Sequence, residues 1–165
     1  EGRKLVRELV AMSMRLRGEL RVGFLTNYNM WLGHKPAAGV DVWLNNPVRP
    51  LEACGTSGMK AVLNGVPNLS ILDGWWAEGC SDGVNGWAVG QDWETRDDDR
   101  DANALYDALE KRVLPLYYGD KVAWRNMQRA AVATAPAFSA QRMVVEYAGR
   151  YYGTTAERAV ASAAV

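Results

Sequence analysis

Short apolar runs alternating with segments of helical period set the tightest limit on what this chain can become. Leu5, Val6, Leu9, Val10, Met12 and Leu16 recur at helical spacing through a charged stretch, which predicts an amphipathic helix over residues 3–17. Residues 20–25 then read as a short buried strand, stopped by the turn-prone Asn27-Tyr28-Asn29. The segment after it, weakened by Gly33 and Pro36, carries no clear period. Residues 40–44 read as a second strand ended by Asn45-Asn46-Pro47, and a helix is predicted over 57–63 with Asn64-Gly65 as its exit. Residues 68–72, before Asp73-Gly74, make a third strand and residues 86–90 a fourth. Strand, helix, strand, helix at this spacing is the pattern of an α/β fold, a parallel sheet with crossover helices. Three places follow strand ends: Asn27-Tyr28, residues 45–60 and residues 73–78. On a parallel sheet they share the carboxyl edge, where ligands bind.

The last third changes character. Residues 101–113, 120–134 and 139–152 read as three helices, the second broken from the third at Ala135-Pro136 and the third capped by Ser139. The alanine-rich tail from Thr154 is expected to fray, so the folded domain is 1–153 and the tail 154–165. The run from Arg96 to Asp101 reads as a solvated loop leading into a helix rather than a metal site, since acidic side chains favour a helix start.

A length of 165 residues is enough for one domain with a real core. Nineteen Lys and Arg balance nineteen Asp and Glu, so there is no basic field to draw nucleic acid. No apolar run approaches the roughly 18 residues a membrane helix needs. A hydrophobic share of 48% with seven tryptophans argues for a folded chain. The amino terminus is not signal-like, so Cys54 and Cys80 read as free thiols of a reducing compartment. With His34 as the only histidine, they show no zinc-ligand spacing. The chain begins at Glu1 rather than Met, as a piece of a longer protein would.

Residues 52–64, Glu-Ala-Cys-Gly-Thr-Ser-Gly-Met-Lys-Ala-Val-Leu-Asn, carry the chemistry. One carboxylate leads through small residues to a single lysine in an apolar, helix-forming segment. Free N–H groups and the positive end of a helix dipole would hold a phosphate there, and the lysine could supply a charge or a Schiff base. A helix start capped by its own Ser or Thr would look much the same from Thr56 to Met59.

These thirteen residues resemble the pyridoxal-phosphate attachment signature of the glycogen and α-glucan phosphorylases, matching at Glu52, Ala53, Cys54, Gly55, Ser57, Met59, Lys60, Leu63 and Asn64. Similarity to the shorter, bacterial-type members extends through Phe24-Leu25 with Asn27-Tyr28, residues 39–45, 68–79, 85–88, 114–118 and 138–143, and covers about residues 3–152. The resemblance implies a Rossmann-like parallel sheet ending in a helical segment. That sheet would be the carboxyl-terminal half of a two-domain glycosyltransferase (GT-B type) fold. It implies an enzyme that releases glucose 1-phosphate from an α-1,4-glucan with inorganic phosphate, in the cytoplasm. Lys60 resembles the lysine that carries pyridoxal 5'-phosphate. Thr56, Ser57 and Gly58 resemble the positions around the cofactor phosphate, and Tyr28 the tyrosine against the cofactor. Glu52, Cys54 and Gly55 resemble the residues that hold glucose hydroxyls. The implied partners are the α-glucan, inorganic phosphate and the amino-terminal part of the same enzyme; a homo-oligomer is compatible with it. A non-catalytic cofactor- or glucan-binding remnant is one alternative. A nucleotide-sugar glycosyltransferase of similar fold, which needs no lysine-bound cofactor, is another.

Some positions depart from the family pattern. Cys54 stands where serine is common, Thr26 where an acidic residue is frequent, and residues 31–36 are unlike the helical sequence usual after the tyrosine. Outside the motif, His34 is expected to be exposed in a surface loop. Trp75-Trp76 could stack on sugar, although packing is expected for at least one of them. Asp73 and Glu78 could pair as hydrolase carboxylates, with nothing in their spacing demanding it. Arg142 and Met143 fall on a helical face expected to pack.

Overall fold

The computed structural model describes residues 2–90 and 97–153. These divide into two compact units at the His34–Lys35 junction. The alanine-rich tail and Arg96 lie outside the described residues.

In the first unit the expected helix forms as α1 (Gly2–Arg15), with no buried side chain. Residues 20–25, expected as a buried strand, join no ladder among the described residues, and Leu20, Val22, Phe24 and Leu25 are exposed. An apolar run becomes a strand only where a neighbour takes up its N–H and C=O groups. The segment without a clear period is α2 (Met30–Gly39), which contains Pro36 and spans the junction of the two units. Asn29 starts it: its Oδ1 accepts the Leu32 N–H at 2.9 Å and its carbonyl the Gly33 N–H at 2.8 Å. His34 is therefore on a helix rather than in a loop, although it is exposed as expected.

The second unit is built on a three-stranded parallel sheet of order β1 (Trp43–Asn45), β2 (Asn68–Ile71) and β3 (Gly86–Val89). The register sets Leu44 beside Leu69 and Leu69 beside Trp87. Helix α3 (Thr56–Leu63) connects β1 to β2, and the short α4 (Trp75–Gly79) follows β2. The three strands lie close to where the sequence places them.

β2 is buried on both faces, and its alternation explains how. Leu69 and Ile71 point into one core with Trp87, Val89, Ala108, Val113, Trp124 and Met127. Asn68 points the other way, where its Nδ2 donates to the Gly58 carbonyl of α3 at 3.2 Å. On that side a second core gathers Val62, Trp75, Trp76, Ala131 and Ala135.

The helical last third closes the first core. Asp97 caps α5 (Asp98–Ala108) by accepting the Arg100 N–H at 3.0 Å, the helix-start role expected of this acidic run. A π-helical turn, Leu109–Val113, passes directly into α6 (Leu114–Gly119): the Leu114 N–H reaches back five residues to the Leu109 carbonyl, and this widened turn immediately precedes Pro115, which has no N–H to give. Asp120 caps α7 (Lys121–Thr134), the 3-10 turn Ala135–Phe138 breaks it, and Ser139 caps α8 (Ala140–Tyr147). Arg142 and Met143, expected to pack, are exposed on α8; Arg142 pairs with Glu146 one turn on at 3.5 Å. No helix among the described residues is long and apolar enough to cross a membrane.

Candidate functional site

At about 100° per residue, α3 sorts its sequence onto two faces. Thr56, Ser57, Lys60, Leu63 and Asn64 lie within one arc and are exposed; Gly58, Ala61 and Val62 lie opposite and are buried. The apolar and small residues of the motif thus fasten the helix, and its hydroxyls and lysine face outward.

The two ends of α3 are finished differently. At its exit Gly65, at φ 73°, lets its own N–H reach the Val62 carbonyl at 3.0 Å and that of Val66 reach Ala61 at 3.0 Å. Asn64 adds a side-chain bond from Nδ2 to the Lys60 carbonyl at 2.8 Å. At its entry the cap is Gly55 in the left-handed region, φ 84° and ψ 47°, with no side-chain hydrogen bond. A self-capped helix start, the alternative for Thr56 to Met59, is therefore not what forms: Thr56 and Ser57 stand inside the helix, not before it. Gly58 N–H donates to the Gly55 carbonyl at 3.1 Å, whereas those of Thr56 and Ser57 have no intrahelical acceptor.

The loop ahead of α3 is tied to the turn after β2. Asp73, 8% exposed, accepts the Glu52 N–H on Oδ2 and the Gly74 N–H on Oδ1, both at 2.9 Å. Trp75 N–H donates to the Cys54 carbonyl at 2.8 Å. Gly74 adopts φ 52°, ψ −137°, and a Cβ there would lie 2.5 Å from the Cys54 oxygen. Trp75 forms the floor: a Cβ on Gly55 would meet its Cδ1 at 3.3 Å, and one on Gly58 its Nε1 at 2.9 Å. Two of the three strand-end places thus meet, while Asn27-Tyr28 belongs to the first unit and follows no strand. Within that unit the Tyr28 ring lies over Gly33 and is 72% exposed.

Other candidates resolve into structural roles. Trp75 and Trp76 are 5% and 1% exposed, which leaves neither ring a face for sugar, and Trp76 Nε1 donates to the Trp87 carbonyl at 3.2 Å. Asp73 has both oxygens engaged by backbone and Glu78 is exposed, so they form no hydrolase pair. Both cysteines are free. Burial pushes the Cys80 thiol up to about 12, with Asp82 adding to the rise and Arg112 opposing it, so this thiol stays protonated at neutral pH. Sequence reasoning missed Asn68, Gly74 and Trp75 as supports of the motif. An asparagine opening an apolar strand was the available signal for the first, and the Asp-Gly step, read only as a strand stop, for the second.

Fold and loop together define an α/β unit in which a lysine-bearing helix, entered through an uncapped glycine turn, follows the carboxyl end of a parallel strand. Comparison with known proteins gives this class a family. The chain is 44% identical to the maltodextrin phosphorylase of Thermococcus litoralis over 164 residues, 96% of this chain and 20% of that protein. It is 46% identical to the glycogen phosphorylase of Aquifex aeolicus over 160 residues, 92% of this chain and 23% of that protein. The glycogen phosphorylase of Mycobacterium tuberculosis is 45% identical over 166 residues, 94% of this chain and 19% of its own length. No family model matches the chain. The chain belongs to the glycogen and maltodextrin phosphorylase family and corresponds to its carboxyl-terminal part. It spans about one-fifth of the length of the curated relatives it matches.

Proposed function

We propose that the chain is the cofactor-bearing part of an α-1,4-glucan phosphorylase, which uses inorganic phosphate to release glucose 1-phosphate from the end of a glucan. Residues 1–153 would be the carboxyl-terminal part of its Rossmann-like domain, and this domain one wall of a two-domain GT-B cleft. The observation that carries the reading is the outward face of α3, where Thr56, Ser57 and Lys60 stand together behind an entry turn that no side chain caps.

The residues present fit pyridoxal 5'-phosphate. The N–H groups of Thr56 and Ser57, at the positive end of a helix, suit its phosphate, and Lys60 is an exposed amine one turn further along the same face. Gly58 has its N–H committed to Gly55, and it serves by bringing α3 down onto Asn68 and Trp75. By the family resemblance, Tyr28 would lie against the cofactor. When bound, the cofactor supplies a phosphate with a second ionisation at about 6, suited to proton exchange with a substrate phosphate at neutral pH. Glu52 would accept hydrogen bonds from glucosyl hydroxyls, and the N–H groups of Cys54 and Gly55 would donate to them. The Cys54 carbonyl is held by the Trp75 N–H, which orients its peptide, and a contact made through that backbone would survive cysteine in place of serine.

Incubation with pyridoxal 5'-phosphate, borohydride reduction and peptide mapping test the assignment. The expected result is one label per chain, on Lys60, and none in Lys60→Ala. Label scattered over the other lysines, or no label, would overturn it and favour a nucleotide-sugar transferase of similar fold.

A further inference from the structure

We propose that Asp73 is the positioning residue of this site: its carboxylate sets where Glu52 and Cys54 stand relative to α3. The inference rests on the reading of Glu52 to Gly55 as the glucosyl-binding loop. Asp73 lies two residues beyond β2, the central strand of the sheet, where it is buried and its own N–H donates to the Ile71 carbonyl at 2.9 Å. Its two oxygens are divided between two chain segments. Oδ2 takes the N–H of Glu52 and Oδ1 that of Gly74, each at 2.9 Å. Gly74 N–H is thereby held where the next peptide, Trp75 N–H, meets the Cys54 carbonyl at 2.8 Å. The three bonds form one clasp, in which residues 52–54 on the loop face residues 73–75 on the turn.

The clasp has a single setting. Gly74 occupies a backbone conformation that L side chains rarely adopt, and its Cα hydrogen faces the Cys54 oxygen and, at 3.1 Å from an added Cβ, the Glu52 oxygen. Any side chain there would push the loop away from the strand end. Trp75 continues the same contact, with its indole edge against Gly55 and Gly58. Lys60 is carried by α3, which is fastened separately through Gly58 to Asn68 and through Ala61 and Val62 to the core. Loop and lysine therefore share the Trp75 indole but have separate hydrogen-bonded anchors, Asp73 for the loop and Asn68 for α3. Releasing Asp73 should move the glucosyl contacts and leave the amine where it is.

Asp73→Asn provides the test, because it keeps the volume and one acceptor oxygen but places an N–H₂ group against a peptide N–H. Three readouts are expected. Amide hydrogen exchange at Glu52 accelerates at least tenfold, with far-UV circular dichroism unchanged. Borohydride labelling of Lys60 stays within twofold of the wild-type chain. In the complete enzyme, KM for glucose 1-phosphate in the synthetic direction rises about tenfold, with kcat within threefold. A purely structural role would instead lower the active fraction and leave KM alone. Unchanged exchange at Glu52, or a fall in kcat at constant KM, would overturn the positioning role. Failure of the wild-type chain to label at Lys60 would sink the cofactor assignment while leaving the exchange result standing, so the two failures are distinguishable. Gly74→Ala is the second variant: it keeps the carboxylate but blocks closure, and should raise KM in the same direction.

Discussion

Gly58 is the residue on which the motif and the fold depend together. As a helix-interior glycine it carries an intrinsic cost of about 1 kcal/mol relative to alanine. On propensity alone, Gly58→Ala should stabilise α3. Packing reverses the sign: an added Cβ would collide with Asn68 Oδ1 and lie 2.9 Å from Trp75 Nε1, both fixed side chains of the core. Forcing an extra carbon into such a contact costs roughly 1–3 kcal/mol. The expected outcome is a lower midpoint in urea unfolding, together with weaker retention of the proposed cofactor because α3 is lifted from β2. A midpoint equal to or above the wild-type value would show that the contact relaxes freely. The outward face of α3 was legible in the sequence, because Thr56, Ser57 and Lys60 stand in a helix-forming segment at spacings that share one arc, whereas Glu52 and Cys54 enter the proposed site through the family resemblance. The supports were not legible. Asn68, Asp73 and Trp75 act through contacts with residues far along the chain, and no local pattern encodes a partner.

Elements were legible in proportion to how locally they are determined. The strands near 40–44, 68–72 and 86–90 are β-prone runs bounded by turn residues, and each forms within a few residues of its expected place. Residues 20–25 carry the same signal and form no ladder, since pairing depends on a neighbour that the run itself does not specify. α2 was hidden by Gly33 and Pro36, although Asn29 just ahead of it supplies the cap that starts a helix. α6 was hidden by Pro115, which is expected to end a helix but here follows a π-helical turn in an unbroken helical run. Caps are the most local of these signals, and α7 offers a clean test. Asp120 Oδ1 accepts from Val122 N–H at 3.0 Å and Ala123 N–H at 2.9 Å. Asp120→Ala should cost about 1 kcal/mol by chemical denaturation, and Asp120→Asn, which keeps the accepting oxygen, clearly less. Equal losses in the two variants would indicate that charge at the helix start matters more than the hydrogen bond.

At the scale of the whole molecule, the site and the surface belong to different levels of completeness. The inward face of α3 and its supports are buried within the second unit, but much apolar surface is left open. Leu5, Leu9 and Met12 on α1 and Met143, Val144 and Tyr147 on α8 are all exposed. Contiguous apolar faces of this kind mark surfaces that other protein normally covers. With the chain spanning about one-fifth of its relatives, the proposed chemistry divides accordingly. In the proposed reading, the loop, the helix and the turn beneath them would hold the cofactor. Glucosyl transfer to phosphate rather than to water needs a cleft that excludes solvent, and in the proposed reading this chain would supply one wall of it. The expected outcome is therefore a separation of the two activities. The isolated chain, reduced or unreduced, takes up pyridoxal 5'-phosphate at Lys60 yet releases no glucose 1-phosphate from a glucan with inorganic phosphate. A coupled assay for glucose 1-phosphate on the purified, cofactor-loaded chain checks this. Release that depends on phosphate and disappears in Lys60→Ala would mean that a single wall can exclude water well enough for phosphorolysis.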